Sequence, residues 1–85
     1  MVMEEKRRII TEKVKDLFLS IFDVDQTEII DEFSPQTNES WDSITHLMII
    51  TELEDMFSTS FNEDIIPEIN SFKKIIDELV RMDVG

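Results

Sequence analysis

The chain has 85 residues, no cysteine, a single histidine and a formal net charge of −12. Disulfides, thiolate metal sites, cysteine nucleophiles and multi-histidine metal sites are excluded, and so short a chain has little room for an enclosed substrate pocket beside a core. No apolar run approaches the ~20 residues of a membrane span, and the charged start, Met-Val-Met-Glu-Glu-Lys-Arg-Arg, lacks the apolar stretch of a signal peptide; the expectation is one cytoplasmic domain over residues 1–85.

The first predicted element runs from about Glu4 to Phe22. Its apolar positions Ile10, Val14, Leu17, Phe18 and Ile21 fall on one helical face, opposite Arg7, Arg8, Glu12, Lys15 and Asp16. Asp23 to Ser40 is a long connection in which Ile29, Ile30 and Phe33 are the candidate anchors. A second helix starts near Asp42 or Ser43, either of which can accept the free N–H groups of the first turn, and continues to about Phe57. Ser58-Thr59-Ser60 interrupts the helical pattern, and Phe61 returns to the core. Asn62 caps a short turn-like helix through Ile66, ended by Pro67. Asn70 or Ser71 caps the last helix, which carries Phe72, Ile75, Ile76, Leu79 and Val80 on its inner face.

Glycine occurs once, at Gly85, and no Asn-Gly or Asp-Gly hairpin turn is present, which argues against a sheet. The expected fold is all-α. It is a small antiparallel four-helix bundle, of three main helices and one short one, with a long first crossover between the first two.

Charge is unevenly spread. Residues 16–72 hold fourteen acids and no lysine or arginine, whereas five of the eight basic residues lie in residues 1–15. Such a field repels nucleic acid and anionic membrane and attracts basic protein surfaces. It also serves solubility.

The second helix has more apolar surface than a bundle helix needs. Ile49, Ile50, Leu53 and Phe57 form one stripe; Ile44, Leu47, Met48 and Thr51 form another to its side. Glu52, Glu54 and Asp55 lie around the second stripe with no positive partner on the helix. Two readings follow from this pattern. Either the second stripe is exposed as a docking surface for a basic partner, or the helix is the most buried element and lies beneath the long loop.

Three constellations are candidates for chemistry. Asp23-x-Asp25-x-Thr27 opens like a calcium loop, but Glu28 and Ser34 stand where that loop needs glycine and glutamate, so it is not an EF-hand. Ser43 and His46, with Asp42, are close enough on a helix to suggest a hydrolase. Nothing supplies the oxyanion hole or pocket that a hydrolase needs, and His46 reads as a partly buried helix residue. Asp42-Ser43-Ile44 alone is an ordinary helix start.

In context those three residues resemble the signature of acyl and peptidyl carrier proteins, which is Asp-Ser-Leu at the start of the second helix. Here the run is Trp41-Asp42-Ser43-Ile44-Thr45-His46-Leu47-Met48-Ile49-Ile50-Thr51-Glu52-Leu53-Glu54-Asp55-Met56-Phe57. The family's acidic pair and helix-ending phenylalanine recur as Glu54-Asp55 and Phe57, and its downstream segment recurs as Ile69-Asn70-Ser71-Phe72 through Leu79. The resemblance covers nearly the whole chain. It implies that Ser43 carries 4′-phosphopantetheine, installed from coenzyme A by a magnesium-using phosphopantetheinyl transferase with Asp42 helping to position the reaction. It further implies acyl or aminoacyl thioesters on the arm, no catalytic residue and no resident metal. Ile44, Leu47, Met48, Thr51, Glu54 and Asp55 become the surface read by loading and transferring enzymes with basic rims. The expected protein is a monomer without nucleic-acid binding or membrane insertion. Ile44 in place of leucine, Glu39-Ser40 in place of Leu-Gly, Trp41 before the motif and Met48 in place of glutamate favour a specialised biosynthetic pathway with dedicated partners over housekeeping fatty-acid synthesis. The alternative is an acidic helical adaptor that binds a basic protein and is never modified.

Overall fold

The structure is a computed structural model that describes residues 2–82. The expected bounds of 1–85 thus end, at Met1 and at residues 83–85, outside the described residues. Among the described residues the chain forms three α-helices, α1 (Val2–Ile21), α2 (Ser43–Phe57) and α3 (Phe72–Arg81), with a 3₁₀ turn at Gln26–Glu28. No strand occurs among the described residues. The expected all-α bundle with a long loop between its first two helices is what the sequence folds into.

Burial follows the apolar spacing. Ile10, Val14, Leu17 and Phe18 of α1, Ile49, Ile50, Leu53 and Phe57 of α2, and Phe72, Ile75, Ile76 and Leu79 of α3 share one core. Phe18 sits at its aromatic centre, meeting Phe22, Phe33, Trp41 and Phe72 at ring-centroid distances of 5.3–5.8 Å. Burying one such ring contributes about 1.5–3 kcal/mol. A small domain's whole stability is about 5–15 kcal/mol, so this cluster is a large part of it.

The pairings also set direction. Phe18 meets Phe72 and Arg7 bonds Asp77, so α1 and α3 run antiparallel. Phe22 lies against Trp41 and Lys13 lies over the Phe57 ring, so α1 and α2 run antiparallel as well. This corrects the expectation of a first crossover. The 22–41 connection leaves and re-enters at the same end of the bundle, with the Phe22 and Trp41 rings 5.9 Å apart. It is a compact loop filled by its own side chains. The segment that crosses the bundle is the later one, between Phe57 and Phe72.

Ile29 and Phe33 anchor the first loop in the core, but Ile30 is 54% exposed and does not. The 3₁₀ turn explains this: it ends at Glu28, and Ile29 takes the inward direction, leaving its neighbour to solvent. The loop also holds the start of α3, since Phe33 O accepts from Phe72 N at 2.8 Å and Asp31 O from Lys73 N at 3.2 Å. Ser71, rather than Asn70, is the cap of α3, accepting from Lys74 N at 3.1 Å.

The short helix expected over 62–66 forms only hydrogen-bonded turns, running on through Glu68. Asn62 does organise its start, accepting from Asp64 N at 3.0 Å. Pro67 has no N–H to give and its ring disfavours a helical residue before it, so these turns do not join into a regular helix.

Candidate functional site

The site is built on the start of α2. Asp42 precedes the helix in an extended conformation and its Oδ1 accepts from Thr45 N at 2.9 Å. That hydrogen bond, above all other causes, holds the Asp42 carboxyl below the usual carboxylate range. Of the two candidate caps, Asp42 is therefore the one in use. Ser43 is the first helical residue, exposed and relieved of capping.

His46, one turn on, faces inward. Trp41 Nε1–H donates to His46 Nδ1 at 3.0 Å, and His46 Nε2 lies 2.7 Å from the Ile66 carbonyl oxygen. An indole N–H can only donate and a carbonyl can only accept. The neutral imidazole protonated on Nε2 is therefore the form that satisfies both partners. With both nitrogens committed, His46 has none to offer Ser43 as a base, so the Ser43–His46 pair is not a nucleophile and base. The same chain of bonds ties the start of α2 to the 62–69 segment.

Beside Ser43 opens a cleft of about 520 Å³ whose walls include Trp41, Leu47, Ile66 and Pro67. Pro35 and Asn70 line it as well. Spacing along α2 pointed to none of these except Leu47, because they come from three separate segments. One signal was available. A tryptophan directly before a helix and a histidine five residues on both carry polar tips that need a partner when buried.

The two stripes of α2 separate as far as a helix allows. Ile49, Ile50, Leu53 and Phe57 are buried, while Ile44, Leu47 and Met48 are 80%, 58% and 45% exposed. Thr51 and Asp55 are exposed on the same side. The long loop therefore does not cover the second stripe. Glu54 differs from the rest of the set. It is half-buried, and its Oε2 accepts from Phe61 N at 2.9 Å, closing the chain after the helix. Among the described residues no group of three or more His, Cys, Asp or Glu side chains could hold a metal ion. No described helix is long and apolar enough to cross a membrane.

The arrangement of the helices matches a solved structure of the acyl carrier protein from Enterococcus faecalis, with a TM-score of 0.75 over 88% of this chain and 95% of that one. The chain has an acyl-carrier-protein fold. The likeness lies in the backbone, since the two sequences are 24% identical. No protein-family model and no curated protein sequence matches this chain. In the frame of that fold, Ser43 heads α2 and the exposed apolar stripe runs down the helix from it.

Proposed function

We propose that this protein is an acyl carrier whose Ser43 bears a 4′-phosphopantetheine arm. The observation that carries the reading is Ser43 itself: an exposed hydroxyl at the head of α2, freed from capping by Asp42, in an acyl-carrier-protein fold. The residues fit the group. A phosphodiester on Ser43 Oγ would lie at a helix N-terminus, where the helix dipole favours an anion. The cleft next to it offers an apolar wall to a neutral arm. When bound, the arm supplies a thiol that holds cargo as a thioester. The chain's own residues do the rest. Asp42 fixes the backbone turn that presents Ser43, and His46 and Trp41 hold that turn against the 62–69 segment.

The exposed stripe serves partner recognition. Ile44, Leu47, Met48 and Thr51 offer apolar contact, with Asp55 on the same side as the charge. Loading and transferring enzymes with basic rims would be steered to it. Glu54 contributes from the edge, where its bond to Phe61 N keeps it in place. Such a protein catalyses nothing itself and works in the cytoplasm beside its dedicated enzymes.

Intact mass before and after incubation with coenzyme A, magnesium and a promiscuous phosphopantetheinyl transferase tests the reading. The chain is expected to gain one phosphopantetheine, with adenosine 3′,5′-bisphosphate released, and Ser43→Ala to gain none. Because Ser43 is not the cap, Ser43→Ala should change stability by no more than about 0.5 kcal/mol. A folded chain that takes no arm would sink the carrier reading and leave an unmodified acidic adaptor.

A further inference from the structure

We infer that Trp41 decides where a chain carried at Ser43 lies: its indole walls the interior of the bundle off from the cleft, so that cargo rests in the cleft, outside the core. The inference rests on the carrier reading and deepens it.

Trp41 belongs to both spaces. It lines the cleft beside Ser43, yet it is only 2% exposed. Its other side packs on Phe18 edge-on at 5.3 Å, on Phe22 at 5.9 Å and on Phe33 at 6.0 Å. The route inward from Ser43 therefore meets the indole first and an aromatic cluster behind it. Deeper still are Val14, Ile49, Leu53 and Ile75, which have no exposed surface.

The wall is held at its edge. The indole N–H bonds His46, His46 bonds the Ile66 carbonyl, and the indole and imidazole planes lie only 25° apart, edge to edge. Swinging Trp41 aside would leave its own N–H and the histidine nitrogen unpaired in a buried setting, which is strongly unfavourable. It would also open a gap in a close-packed interior. A flexible acyl chain gains the same burial per methylene from the cleft wall without either loss, for as much of its length as the cleft covers. Carbons beyond that length gain nothing and stay in water. The cargo class this favours is an acyl group short enough to lie against Leu47, Ile66 and Pro67.

The test compares hexanoyl and hexadecanoyl forms, made by transfer from the matching acyl-coenzyme A and verified by intact mass. Melting temperatures of the two forms should agree within about 2 °C. Methyl resonances should shift at Leu47 and Ile66 and stay fixed at Val14, Leu53 and Leu79. A melting temperature that climbs with chain length, with shifts at Val14, Leu53 and Leu79, would overturn the inference. Trp41→Leu should convert the protein to that second behaviour; should this variant not fold, the parent comparison decides alone. Failure of transfer would appear as an unchanged mass and would count against the carrier reading instead. The wall is then tested on Ser43→Cys, which holds the chain's only thiol, after addition of N-ethylmaleimide or N-dodecylmaleimide. The same pair of outcomes supports or overturns it.

Discussion

Asp42 accepts the Thr45 N–H, and that bond favours its ionised form in the folded chain. Its carboxyl is depressed on folding, so its contribution to stability is present above the unfolded carboxylate pKa of about 3.9. The contribution fades as pH falls through the lower, folded value. Asp42→Ala should therefore lower the melting temperature at neutral pH, and the gap from the parent should close as the solution is taken below about pH 4. Asp42→Asn should keep most of the cap while removing its titration, which thermal melts across that range would reveal. Sequence alone left Asp42 and Ser43 as equal candidates for this cap, because both side chains are good acceptors. Backbone conformation at position 42 settles it, and a motif does not encode that.

At the scale of elements, α2 ends against the usual rule. Ser58 has a positive φ of 50°, in the left-handed region that favours glycine. Thr59 N donates to Glu54 O at 3.0 Å and Ser58 N to Asp55 O at 3.4 Å, the paired bonds that close a helix through a left-handed residue. Ser58→Gly should relieve the side-chain clash and stabilise the protein by about 0.5–1 kcal/mol, measured by urea unfolding. Phe18→Ala sits at the other extreme. Removing the ring that touches Phe22, Phe33, Trp41 and Phe72 should cost about 3–5 kcal/mol, enough to leave this small domain largely unfolded by circular dichroism at moderate temperature. Helix faces were legible in the sequence because apolar spacing is local. The short turn-like helix expected at 62–66 forms as hydrogen-bonded turns under Asn62 and does not become a regular helix, because Pro67 cannot donate. Ile30 was misplaced because a loop has no fixed period from which to read its inward side.

Across the whole molecule, charge opposes folding. Residues 16–72 carry fourteen acids without a lysine or arginine among them. The ion pairs Arg7–Asp77, Arg8–Glu12, Lys73–Asp77 and Arg81–Glu78 each join side chains of which at least one is well exposed. Exposed pairs are worth only about 0–1 kcal/mol apiece. The Lys73 ammonium does hold the Asp77 carboxyl below its usual range, with Arg7 adding to it. Salt screens attractions and repulsions alike, and with twenty acids to eight bases the repulsions prevail. Melting temperature should therefore rise with added sodium chloride. A flat or falling dependence would mean that the ion pairs matter more than the acidic surface.

The sequence by itself determined the three α-helices, the side of each that is apolar, the excess apolar surface of α2 and the Asp42-Ser43 pair at its start. Each of these depends on residues within a few positions of one another, where helical geometry alone relates them. The tertiary structure decided which stripe of α2 is buried, that the first loop closes on itself, and that the chain crosses the bundle between Phe57 and Phe72. It also brought Trp41, His46 and the Ile66 carbonyl into one chain of bonds beside Ser43. Those outcomes depend on segments that lie beyond the reach of one helix's periodicity, whose meeting is fixed by shared burial in the core.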